Sequence, residues 1–80
     1  MQTLREIAKI IREDFGRSKS FVCAEPYVEA MEQMDSVTDK YFYDDGRDIV
    51  NYFLANAQGW RGEIARDIKG TLKQMLKDAA

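Results

Sequence analysis

Five aspartates crowd residues 35–48: Asp35, Asp39, Asp44, Asp45 and Asp48. Such a set suggests calcium coordination or paired acid–base work. An EF-hand loop needs acidic residues at its first, third and fifth positions ahead of its glycine. Setting Gly46 as that glycine places Tyr41, Tyr43 and Asp45 there, so the loop does not fit. Acid–base catalysis by neighbouring carboxylates needs a pocket and a partner, and the sequence supplies neither. Turns and helix caps account for these aspartates without a ligand, because a short carboxylate bonds nearby backbone N–H groups.

The chain has no histidine and a single cysteine, Cys23. That removes the commonest general base, the usual metal ligand and every His-dependent triad. Cys23 has neither an activating histidine nor a second thiol to share a metal, and it reads as a small buried apolar residue. No catalytic residue, cofactor site or metal ligand is expected, and the chain reads as non-enzymatic.

Cations and aromatics are the groups that can bind. At about 100° per residue along the last helix, Arg66, Lys69, Lys73 and Lys77 share one face beside the apolar stripe. A row of four cations suits nucleic-acid phosphates or an acidic protein. Lysines near a helix C-terminus also complement its dipole and keep the surface solvated. Tyr41, Phe42, Tyr43, Tyr52, Phe53 and Trp60 are more aromatic surface than so small a core buries easily. Tyrosines left at the rim beside arginines are typical of interfaces. Gly59-Trp60-Arg61-Gly62 has the G-x-x-G form of KH domains. It departs from them in its bulky tryptophan, in the absence of recognisable strands, and in the placing of Ile64 and Ile68.

Four segments must position these groups. Thr3-Leu4-Arg5-Glu6 is a capping box, and Leu4, Ile7, Ala8, Ile11 and Phe15 repeat at helical spacing, predicting a helix over roughly 3–15. Gly16 is its expected left-handed stop. Residues 17–25 have no helical period and read as a loop or short extended piece. Pro26 suits the first turn of a second helix ending near Asp35, with Tyr27, Ala30, Met31 and Met34 inward and Val28 at the margin. Residues 36–43 fit either a helical turn or an extended segment. Asp44 or Asp45 then caps a third helix, whose wide apolar arc (Ile49, Val50, Tyr52, Phe53, Leu54, Ala57) predicts a central position. A fourth helix is predicted from near Trp60, led into by Gly59, with Trp60, Ile64, Ala65, Ile68, Leu72, Met75 and Leu76 as its buried stripe. Asn56–Gly59 leaves a tight connection, predicting antiparallel packing of the last two helices. Gly62 and Gly70 fall on the polar side, where glycine costs about 1 kcal/mol against alanine. Either the first turn is irregular at Gly62, or something approaches this face closely.

Eighty residues, 45% hydrophobic and 32% charged with a net charge of −2, suit one globular domain spanning 1–80. The short apolar runs are far from the roughly 20 residues that span a bilayer. No secretory pattern follows Met1, and the lone cysteine fits a reducing cytoplasm. The charge balance argues against a surface wholly devoted to nucleic acid. The expected fold is an all-α bundle of three long helices plus one or two short helical or extended pieces.

The block IVNYFLANAQGWRGEIARDIKGTLKQML, residues 49–76, resembles one in small uncharacterised proteins of prophages and other mobile elements. The resemblance brings no activity or site residue. It implies a bacterial cytoplasm and an accessory role, such as modulating a host or phage protein. Absent catalytic groups, surplus aromatics and a small core together point to a protein–protein interaction module, with self-association open to it. Its expected contact surface joins Tyr41, Tyr43, Arg61, Arg66, Lys69 and Lys73. The alternative is a small nucleic-acid-binding regulator using the basic ridge.

Overall fold

A computed structural model describes residues 2–79. The Thr3 hydroxyl accepts from the Glu6 N–H at 3.1 Å, and the Glu6 carboxylate accepts from the Thr3 N–H at 2.8 Å. This reciprocal cap opens α1 (Leu4–Asp14) as the sequence predicts. Leu4, Ile7, Ala8, Ile11 and Phe15 are all fully buried.

The expected stop at Gly16 is not made; Gly62 is the one glycine with positive φ among the described residues. The chain instead tightens into two 3₁₀ turns, Phe15–Arg17 and Lys19–Cys23. A 3₁₀ turn repeats every three residues, which explains the missing α-helical period. Phe21 and Ala24 face inward together, so Val22 and Cys23 point out. Cys23 is therefore exposed, contrary to its reading as a buried residue.

Pro26 sits in the first turn of α2 (Glu25–Met31), which ends about one turn sooner than predicted. Val28, placed at the margin by the sequence reading, is fully buried, while Tyr27 is only partly so. The Arg12 guanidinium fastens α1 to α2, donating to Glu32 at 2.9 and 3.0 Å and to Glu25 at 3.3 Å.

Residues 36–43 resolve as turn followed by strand. β1 (Lys40–Tyr41) and β2 (Asp44–Asp45) pair antiparallel, Lys40 opposite Asp45 and Tyr41 opposite Asp44, leaving Phe42 and Tyr43 as the tip. The molecule is thus mostly helical but carries a two-stranded hairpin, and is not a pure helical bundle. Gly46 follows, its N–H bonded to the Asp39 carbonyl at 2.8 Å. A Cβ there would lie 2.7 Å from the Val37 carbonyl oxygen, so the close passage requires glycine.

Asp45 caps α3 (Gly46–Ala55), accepting from the Arg47 N–H at 2.9 Å. α4 (Glu63–Asp78) begins three residues after Trp60, with Gly62 as its cap at φ 112°. The irregular start at Gly62 is therefore the explanation that holds for that glycine. Trp60 reaches the core from the preceding loop: its ring stacks on Phe15 at 5.3 Å, and its Nε1–H donates to Asp14 at 2.7 Å. The helices contact one another in sequence, α1 with α2, α2 with α3, α3 with α4, and α4 with α1. All four contribute to one buried cluster. α3 is therefore one wall among four and not the centre, and its Tyr52 is 54% exposed. No described helix is long and apolar enough to cross a membrane.

Candidate interaction surfaces

The hairpin tip is built from a local conflict. Two-residue hairpin turns favour Gly, Asn or Asp because their backbone visits positive φ. Phe42 occupies such a conformation, φ 58°, without the freedom of glycine. A left-handed backbone costs a side-chain-bearing residue about 1–2 kcal/mol. Phe42 is nonetheless 82% exposed and Tyr43 fully so. The Tyr41 ring meets Phe42 edge-on at 4.7 Å and is itself half-buried.

The base of the tip is fastened from three directions. The Asp39 carboxylate accepts from the N–H groups of Asp35 and Ser36 at 2.9 and 3.0 Å. These bonds, with Ser36 the larger influence, hold its carboxyl below the usual carboxylate range. The Asp35 carbonyl accepts from Leu4 N–H, tying the loop to the start of α1. Arg47 grips Asp45 at 3.2 Å and also donates to the Ala79 carbonyl at 3.1 Å, joining the hairpin to the end of α4. The Arg47 guanidinium lowers the Asp45 carboxyl further than the backbone bond does. The backbone of the tip is thus anchored at its base, with Phe42 and Tyr43 projecting into solvent.

The second surface lies at the opposite end of α4. Trp60, Arg61, Gly62, Ala65, Arg66 and Lys69 line an open cleft of about 250 Å³. Lys69 Nζ donates to the Trp60 carbonyl at 2.7 Å and stands 6.0 Å from the indole centroid. Partial burial, then the fields of Lys73 and Arg61, push the Lys69 ammonium below its ordinary pKa. Arg61, Arg66 and Lys73 are exposed. Among the described residues, no carboxylate lies within ion-pair distance of Arg61, Arg66, Lys69 or Lys73; the ion pairs belong to Arg5, Arg12 and Arg47.

The six residues expected to share one contact surface therefore separate into two. Tyr41 and Tyr43 stand near the C-terminal end of α4, while Arg61, Arg66 and Lys69 cluster at its start. The hairpin's base is tied through Arg47 to Ala79 at one end of α4, whose sixteen residues run about 24 Å, whereas the cleft lies at the other end. Lys73 lies between, on the basic side. The sequence reading counts Phe42 among the surplus aromatics but leaves it out of the contact surface, because a Phe-Tyr turn carries none of the usual turn residues; only the run of three aromatics before Asp-Asp-Gly marks the place. Ile64, assigned to the buried stripe, is 47% exposed, because it sits at the rim beside Ile10, Glu13, Asp14 and Arg17.

The hollow between Ser36, Val37, Thr38, Met75, Asp78 and Ala79 is mainly apolar and holds no converging charge. Among the described residues no group of three or more acidic, thiol or imidazole side chains is placed to hold a metal. Comparison with family models, curated proteins and solved structures gives no match.

Proposed function

We propose that this chain is a non-enzymatic protein–protein interaction module that docks a partner through the Phe42–Tyr43 hairpin tip. One observation carries the reading: a strained, exposed phenylalanine and a fully exposed tyrosine stand side by side on a base held by Asp39, Asp45 and Arg47. Within the fold, Phe42 at positive φ has only its edge-on contact with Tyr41 to offset the strain. An aromatic pair of this kind gains its stabilisation on burial in a partner, where such residues dominate contact energy. The mobile-element resemblance of residues 49–76 supports an accessory role in a bacterial cytoplasm, modulating a host or phage protein. The test is quantitative affinity capture from bacterial lysate with wild type and a Phe42→Ala, Tyr43→Ala double variant as matched baits. Proteins retained by wild type and lost by the variant are the expected result; identical retained sets would sink the proposal.

A second reading, a small nucleic-acid-binding regulator, is favoured by the unpaired cations of α4. Its signature is an affinity for nucleic acid that falls steeply with added salt. Lys73 and Lys77 are the residues to reverse in probing it, since Lys69 also holds the Trp60 carbonyl.

A further inference from the structure

We infer that the cleft formed by Arg61, Arg66 and Lys69 at the start of α4 is a seat for a phosphoryl oxyanion. The inference deepens the nucleic-acid reading by naming its contact point, and it is independent of the hairpin.

Three features of the cleft converge on this chemistry. Arg61, Arg66 and Lys69 line the same concavity, and none of the three has a described carboxylate within 4 Å, although Glu63 stands in the first turn of the same helix. In a chain with more acids than bases, three neighbouring cations without an ion-pair partner repel one another in the free protein. An anion relieves that repulsion, and three positive charges call for one carrying at least two negative charges. Lys69 is also held in place. The Trp60 carbonyl takes one of its three N–H donors, leaving two to face the cleft. The third feature is the backbone. Gly62 has no side chain to cap α4, and a Cβ built on it would meet nothing within 4 Å, so ligand can come directly to the backbone there. First-turn N–H groups add donors of matching sign beside the cations.

The geometry favours phosphoryl over carboxylate. A tetrahedral dianion offers oxygens in several directions to the two guanidinium forks, the ammonium and the helix start, whereas a planar carboxylate serves one fork well. Recognition is of charge and not of a base. Trp60 is 3% exposed, with Phe15 stacked on its ring, so no indole face is open for nucleobase stacking. The oxyanion can come from a polynucleotide backbone or from a small phosphorylated compound. Beyond the cleft Lys73 and Lys77 continue along the same side of α4, and only a polymer reaches them. The depressed Lys69 ammonium is a further reporter, since a bound anion must raise its pKa.

The experiment is a ¹H–¹⁵N NMR titration at constant ionic strength, first with pyrophosphate and then with a short oligothymidylate. Pyrophosphate is expected to shift the amides of Arg61–Ala65 saturably. An Arg61→Glu, Arg66→Glu variant, altered only at exposed positions, is expected to lose at least about tenfold in affinity. A Lys73→Gln, Lys77→Gln variant is expected to lose less pyrophosphate affinity than the Arg61/Arg66 variant, since neither residue lines the cleft and of the two only Lys73 acts on Lys69 through its field. Oligothymidylate binding that is tighter than pyrophosphate and weakened by the Lys73/Lys77 variant assigns the seat to a polynucleotide. Oligothymidylate binding no tighter than pyrophosphate assigns it to a small phosphoryl compound and removes the nucleic-acid reading while the seat stands. Non-saturating shifts, or saturable shifts unchanged in the Arg61/Arg66 variant, overturn the seat whatever the oligothymidylate does.

Discussion

Gly62 and Gly70 lie eight positions apart near one basic surface, yet they do different things. Gly62 sits at φ 112°, a conformation that a Cβ strains, so Gly62→Ala is expected to destabilise the chain. Gly70 lies inside α4 with nothing within 4 Å of a built Cβ. Gly70→Ala is expected to raise stability by about 1 kcal/mol, the ordinary difference in helix propensity. Urea denaturation of the two variants checks the contrast, and equal effects of one sign would contradict it. The sequence shows both glycines on the polar side of a helix but cannot show that one lies before the helix begins. That boundary depends on Trp60 folding down from a loop onto Phe15, a contact 45 residues distant in sequence. Phe42 was hidden for a related reason. Its turn geometry is imposed by the pairing of Lys40 with Asp45 and Tyr41 with Asp44, not by its own preference.

At the scale of the elements, local rules were legible where they acted alone. The capping box of α1, its fully buried stripe, Pro26 in the first turn of α2 and Asp45 at the start of α3 are all readable from spacing. Spacing misled where the helical period changed. The 3₁₀ turns from Phe15 to Cys23 bury Phe21 and expose Val22 and Cys23, a pattern that an α-helical or strand template does not generate. Three carboxylates fasten element boundaries: Glu6 at the start of α1, Asp39 in the loop before the hairpin, and Asp45 at the start of α3. Each is held below its ordinary pKa, Glu6 by Thr3, Asp39 by Ser36 and Asp35, and Asp45 by Arg47. A depressed folded-state pKa contributes stability that is present above the unfolded value and lost as pH falls through the folded one. Melting temperature is therefore expected to fall as pH drops below about 4. An Asp39→Asn variant should melt lower near neutral pH and show a shallower acid slope. An unchanged acid slope in that variant would show that Asp39 does not fasten the loop.

At the scale of the whole molecule, the four-walled core separates two surfaces of different character. The aromatic tip stands near the end of α4 and the cationic cleft at its start, so a single partner must be long to touch both. The sequence anticipated a composite surface because helical angles place residues around an axis but not along neighbouring elements. Burial also explains which aromatics remain available. Phe15, Phe21, Phe53 and Trp60 close the core, while Phe42 and Tyr43 are left in water. The central claim is that this exposure serves a partner and not the fold. Phe42→Gly tests it most directly when stability and retention of the captured partner are measured on the same protein. Glycine relieves the positive φ but gives up the edge-on contact with Tyr41, so the variant is expected to stay within about 1 kcal/mol of wild-type stability while partner retention falls. A folded variant that retains the partner undiminished, or one destabilised by well over that amount, would contradict the claim.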